Sequence, residues 1–215
     1  PGTTQLFPEG RVINLYPWEH NEVPVLLAEA LKQKEPGIIV LHLTRPSIEI
    51  PDRGKLGMES HFAAARGAYI VRASNPDYPS NGTIYVQGTS AMANLTKLLP
   101  DLDRGDYNLK IVYVSSPQLF ALQSEEYKNT IVTENDKFNS TIITTSAKKL
   151  LPEFTFTDIT LEYALSSDWD NRWRTGGTLE EVLDEAHLSP DWIEQGIRRF
   201  AEDYEVRKRR LRQRL

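Results

Sequence analysis

In the stretch "IYVQGTSAMANL" (84–95), Gly88, Thr89 and Ser90 stand where a buried strand passes through a glycine into a helix. Backbone N–H groups at a helix start point outward and can hold an anion, so the three residues form a possible anion site. The stretch carries one glycine where the dinucleotide fingerprint needs three, and it lacks the Lys-Ser/Thr ending of a P-loop. A plain connection, with Gly88 permitting the turn and Ser90 capping the helix, is therefore the preferred reading. The histidines, His20, His42, His61 and His187, show no ligand spacing and no H-E-x-x-H pattern, which argues against a metal site. His42 sits in an apolar strand and reads as a hydrogen-bonded core histidine. No G-x-S-x-G elbow presents a nucleophile.

Two further clusters concentrate chemistry. "DWDNRWRTGG" (168–177) gathers Trp169, Arg172, Trp173 and Arg174 before two glycines. Such a group can stack on a cationic or aromatic ligand, or it can pack across an interface with its charges at the rim. The interface is preferred, because aromatic and arginine enrichment marks interface cores. The tail "VRKRRLRQRL" (206–215) has six basic residues and reads either as a nucleic-acid arm or as a solvated helix end. Cations at the negative end of a helix, in a chain whose net charge is −5, favour the helix end.

The elements that must position these residues follow from periodicity. "RVINLYP" (11–17) alternates into a strand, "NEVPVLLAEALKQ" has helical apolar spacing, and "GIIVLHL" (37–43) is apolar on both faces, as a strand covered on either side requires. Residues 1–45 thus contain a β-α-β unit, too small to bury its own strands, which looks like the tail of a larger domain. Residues 46–60, rich in proline and glycine, form a linker. Strands are expected at 67–73 and 82–88, joined by a turn and antiparallel. Strand and helix then alternate: helix 90–99, strand 109–115, helix 117–131, strand 140–146 and a last short strand near 161–165. "TLEEVLDEAHL" (178–188) is a helix, and Ser189 with Pro190 opens the final one. The fold class expected for 61–215 is a three-layer α/β/α domain, with a mostly parallel five-stranded sheet carrying one antiparallel strand and a basic C-terminal helix.

Composition narrows the function classes. The chain has 215 residues and no cysteine, which excludes disulfides, thiolate metal sites and cysteine nucleophiles. Its acidic balance lacks the footprint of a nucleic-acid binder. No apolar run approaches the roughly 18 residues of a membrane span, and the start has no signal-peptide pattern, so neither nucleic acid nor membrane is expected as a partner and a cytoplasmic location is. The first residue is not methionine, which suggests that the natural polypeptide begins upstream.

Taken in order, "NEVPVLLAEAL", "PGIIVLHLTRP", "ARGAYIVR", "TIYVQGTSAMANL", "LKIVYVSSPQLFALQSEEYKNTIV" and "GGTLEEVLDEAHLSPDWI" resemble the C-terminal part of transketolase, over about residues 11–205. The resemblance implies that 1–45 is the tail of a pyrimidine-binding domain and that 61–215 is the C-terminal domain. The parent would be a thiamine diphosphate-dependent transferase that moves a two-carbon ketol unit between sugar phosphates. It implies a cofactor of thiamine diphosphate with a divalent metal, Mg or Ca, held by parts outside this chain, and none bound to the chain alone. The partners implied are the N-terminal domains of the same enzyme and a second copy, in a homodimer. Packing and dimerisation would be the role of this piece, which has no catalytic residue of its own and is expected to be inactive alone. One site residue carries over: Arg45 in "LHLTRP" matches the family's arginine that contacts the substrate phosphate, a planar cation suited to phosphate oxygens. Otherwise Arg45 ties the strand end to a linker carboxylate, Glu49 or Asp52. The alternatives for the whole chain are a stand-alone binding or regulatory module and one subunit of a split enzyme.

Overall fold

A computed structural model describes residues 3–4, 7–8, 10–33, 37–105, 107–172 and 174–213. It contains two sheets. The smaller pairs β1 (Val12–Leu15) with β2 (Ile38–Leu41) in parallel, Val12 opposite Ile38, and α1 (Glu22–Lys32) makes the crossover. β1 is buried along its length, whereas β2 is only half-buried: Ile38 is 40% exposed, and Leu43 just beyond the strand 65%. The expected cover on both faces of β2 is thus absent among the described residues, because no third strand or second helix packs outside it.

The larger sheet has the order β3-β5-β4-β6-β7, with β3 Ala68–Arg72, β4 Gly82–Gln87, β5 Leu109–Val114, β6 Ser140–Thr144 and β7 Leu165–Ser166. Four strands are parallel and β3 alone is antiparallel, as expected of the fold class. Its partner, however, is β5 and not the adjacent β4. The crossovers from β4 place β5 and β6 on its two edges and β7 takes the far edge of β6, so β3 joins at the free edge of β5. The connection 73–81 is held by Asn108, whose Nδ2 donates to Asn75 O and Tyr78 O at 2.9 Å.

Residues alternate across the sheet. Ile84, Val86, Ile111, Tyr113 and Ile143 pack under α2 (Thr89–Arg104) and the later helices. On the other face, Tyr85, Val112, Val114 and Ile142 meet Phe120 and Phe154. The β-α-β unit belongs to the first of these cores, through Leu15, Trp18, Leu26 and Ala30. Two sheets therefore share one continuous interior.

Local chemistry explains where elements differ from expectation. The helix expected at 117–131 is two, α3 (Pro117–Ala121) and α4 (Glu125–Ile131), because Ser116 and Ser124 each cap a new start by accepting from Leu119 N and Tyr127 N. α5 (Glu134–Phe138) follows with a capping box from Thr133 and Asp136. α6 (Asp158–Glu162) takes the first two residues of the expected last strand, and the strand found there, β7, begins only at Leu165. α7 (Leu179–Glu185) starts on a capping box, Thr178 with Glu181. Ser189 and Pro190 open α8 (Pro190–Glu202) where expected, but the serine hydroxyl donates to Asp184 Oδ1 rather than capping.

The basic tail, α9 (Tyr204–Arg212), is not simply solvated. Arg207 is fully buried, donating to Asn81 O at 2.6 Å, to Asn139 Oδ1 at 2.9 Å and to Phe200 O. Burial pulls its pKa down to about 10. Arg210 forms a bidentate pair with Glu162 at 2.6 and 2.9 Å. Replacing Arg207→Met strands three buried acceptors, at a cost of about 2–4 kcal/mol; urea unfolding of the variant should show that loss, while Arg209→Met stays within about 0.5 kcal/mol of the parent.

Candidate functional site

A parallel strand releases its chain at the carboxyl end, and ligands of open α/β sheets bind in the crevice there, at the point where strand order reverses. In this protein that point is the end of β4, from which successive crossovers run to β5 on one side and to β6 on the other. The loops that follow β4, β6, β1 and β2 meet at this end. They enclose a cavity of about 240 Å³ that includes Tyr16, His42, Thr44, Gly88, Thr89, Ser90, Thr145 and Ser146. It adjoins a cleft of about 360 Å³ in which Trp18, Glu19, His20, Thr44, Ile48 and Ile50 face Thr89.

Gly88 has φ 102° and ψ 143°, and a Cβ there would overlap the Thr145 hydroxyl. Only glycine lets the ends of β4 and β6 approach so closely. The expected capping by Ser90 is not found: Gly88 is the N-cap of α2, and no side chain caps this helix. Thr89 instead donates its hydroxyl to Pro17 O at 3.1 Å, fixing the start of α2 to the loop after β1. The three residues of the anion-site reading thus line the cavity, with the uncapped first turn of a 16-residue helix behind them.

Tyr16 and His42 form the opposite wall as a parallel stack, with centroids 4.3 Å apart. His42 Nε2 lies 3.0 Å from Asn14 Oδ1, as a donating N–H requires, and burial lowers the pKa of the ring. His42 is thus hydrogen-bonded as expected, but it is half-buried at the cavity wall rather than in the core. Burial pushes the Tyr16 phenol up to about 12, so it remains a donor at any physiological pH.

Arg45 lies in the loop after β2, exposed, between cleft residues Thr44 and Pro46. Neither Glu49 nor Asp52 holds it, and Asp52 pairs with Lys55 instead. Among the described residues its guanidinium has no hydrogen bond or ion pair.

Trp169, Arg172 and Arg174 lie together but outside the cleft; Trp173 lies outside the described residues. Trp169 stacks at 3.8 Å on His187, which stacks at 3.8 Å on Trp192. The Trp169 indole N–H and Arg174 Nη1 both donate to Glu185 O, and Arg172 and Arg174 both pair with Asp170. The polar groups of this loop are largely satisfied within it.

A cluster that the sequence did not signal stands behind the cleft. Arg53, from the 46–60 linker, enters the interior and donates to Glu22 Oε1 at 2.6 Å and to Glu19 Oε1 at 3.0 Å. Tyr69 of β3 donates to the same Glu22 oxygen at 2.6 Å and accepts from the Trp18 indole at 2.7 Å. Trp18 N donates to Glu22 Oε2 and Asn21 N to Glu19 Oε2. One arginine amid prolines and glycines, facing a helix that begins with glutamate, was the only available hint.

Among the described residues no three His, Asp or Glu side chains gather to hold a metal ion. The described residues do not supply the ligands of a metal–diphosphate group. No helix among the described residues is long and apolar enough to cross a membrane.

No protein-family model matches the chain, and no curated protein matches it in sequence. Solved structures do. Transketolase from Leishmania mexicana superposes over 94% of this chain with a TM-score of 0.68 at 15% identity. A transketolase from Pichia stipitis, in complex with sedoheptulose 7-phosphate, matches over 95% with a TM-score of 0.69 at 16% identity. In each case this chain spans 27% of the other. A split-gene transketolase, described as an inactive β4 tetramer, matches over 93% of this chain and 59% of its own, with a TM-score of 0.54 at 10% identity. At these identities the likeness is one of fold, and the fold is transketolase-like.

The geometry at the strand ends is directly testable. Gly88→Ala combines a disfavoured φ with a collision at Thr145 and should cost about 2–4 kcal/mol by denaturant unfolding; Gly176→Ala, where a Cβ meets nothing, should be close to neutral.

Proposed function

We propose that this chain is the C-terminal portion of a transketolase-like enzyme, with residues 1–45 the tail of its pyrimidine-binding domain. The parent transfers a two-carbon ketol unit between sugar phosphates, using thiamine diphosphate and a divalent metal bound by domains that this chain does not contain. The piece itself serves domain packing and dimerisation, and it is inactive alone.

The observation that carries this reading is the unfinished small sheet. β2 spends the amides of Ile38 and His42 on β1, so by the alternation of a strand its odd residues, Ile39 and Leu41, turn their amides to the open side. A parallel strand with a free edge and exposed Ile38 and Leu43 asks for a neighbouring strand and a helical layer. The chain covers about a quarter of each of these transketolase chains, which is consistent with an upstream segment as the neighbour.

Arg45 is proposed as the contact for the substrate phosphate. Its support is position: it stands between cleft residues Thr44 and Pro46, exposed and unpaired among the described residues, on the loop that leaves β2. Loss of a charged hydrogen bond of this kind removes about 1.5–3 kcal/mol of binding. A second reading, one subunit of a split enzyme, is favoured by the match to the split-gene protein, of which this chain covers more than half.

Ketol transfer and thiamine diphosphate binding by this chain alone should both be undetectable. In the enzyme assembled with its cofactor-binding domains, Arg45→Ala should raise KM for a phosphorylated sugar about 10-fold to 150-fold, and leave KM for the unphosphorylated sugar unchanged. Turnover by the isolated chain, or equal loss with both sugars, overturns the corresponding part of the proposal.

A further inference from the structure

Glu19 and Glu22 place two carboxylates in a dry interface, with side chains 1% and 0% exposed, against one guanidinium, Arg53, at 9%. Among the described residues, the elements around them offer no second cation. β3 contributes the Tyr69 hydroxyl and β5 contributes Tyr113. The turn His61–Arg66 carries Arg66, but that guanidinium pairs with Glu59 at the surface. His20, in the same loop as Glu19, is exposed. The cluster therefore holds one negative charge too many when both carboxylates are ionised, and a buried charge without a partner is strongly unfavourable.

The cluster also joins three parts of the chain. Glu19 and Glu22 belong to the β-α-β unit, Arg53 to the linker, and Tyr69 to the larger sheet. Trp18 and Glu19 line the cleft, so the cluster and the cleft wall are the same stretch of backbone.

We infer that Arg53, Glu19, Glu22 and Tyr69 form a proton-dependent latch between the β-α-β unit and the five-stranded domain, closed with one proton in the cluster and loosened when it leaves. The proton resides on the Glu22 carboxyl, the more deeply buried of the two, which also accepts from the Tyr69 hydroxyl at 2.6 Å. Burial drives the Glu22 pKa up to about 7, against the opposing effects of Tyr69, Arg53 and the Trp18 amide. Opening returns Glu22 to water and to its ordinary value of 4.5. Between those two values the closed form keeps a proton that the open form has lost. The latch is therefore tightest at and below the lower value, weakens as pH rises toward 7, and then levels off.

Native-state amide hydrogen exchange of the 215-residue chain tests this, with rates corrected for intrinsic exchange and opening constants compared between pH 5 and pH 7. The opening constant of α1 amides should rise at least tenfold and at most about 100-fold, the limit for one linked proton over two pH units. Amides of β4 and β5 should change far less. Glu22→Gln should make the α1 profile flat, while Glu29→Gln, on the exposed side of α1, should leave it as in the parent. If Glu22→Gln does not fold, the Trp18 indole N–H resonance in the parent chain replaces it, and should titrate in the same range. A flat parent profile, a step that survives in Glu22→Gln, an indole resonance that does not move, or equal changes in β4 and α1 each overturn the latch. None of these readouts depends on ketol transfer or on a partner.

Discussion

Parallel strands deliver their chain at one end only, and everything of functional interest in this protein follows from that constraint. β1, β2, β4 and β6 all release their loops toward the same region, so the cavity and cleft are built without any element dedicated to forming them. Bringing two sheets to one crevice demands close backbone approach, which Gly88 permits beside Thr145. It also demands that the sheets be held in fixed relation. The hydrogen bonds from Tyr16 N to Ser115 O and from the Tyr113 hydroxyl to Tyr16 O do this at the wall of the cavity, and Arg53 does it behind the cleft.

Much of this architecture was legible in the residues. Period-two and period-3.6 patterns found the two sheets, and proline, serine and threonine marked most helix starts. What was missed has a common cause: pairing is non-local. Nothing between Ala68 and Gln87 reveals that β3 must pass over to β5, because the reason lies in crossovers made later in the chain. Ser124 was readable as a cap, but the helical pattern on either side of it concealed the break. The burial of Arg207 in a run of six basic residues was not readable, since its acceptors, Asn81 and Asn139, are more than 60 positions away.

The site was legible only in outline. Glycine, threonine and serine at 88–90 announced a strand-to-helix junction, and the structure shows what that junction adjoins. The Tyr16–His42 stack and the carboxylates around Arg53 had no signal, because a single tyrosine, histidine or arginine acquires meaning only from what the fold sets beside it. Arg45 entered through resemblance to a family rather than through its surroundings, and the structure adds that it is exposed between cleft residues Thr44 and Pro46, with no linker carboxylate to hold it.

The open side of β2 has a consequence for how such a chain lives in a cell. A strand edge with outward amides and exposed isoleucine and leucine is a template for any extended segment, including the same edge of a sister molecule. On the proposed reading, in which an upstream strand covers this edge, a chain made ahead of that neighbour is exposed to the hazard for as long as it waits. Order of synthesis, proximity on one polypeptide or the attention of a chaperone would then decide whether the edge meets that strand or an aggregate.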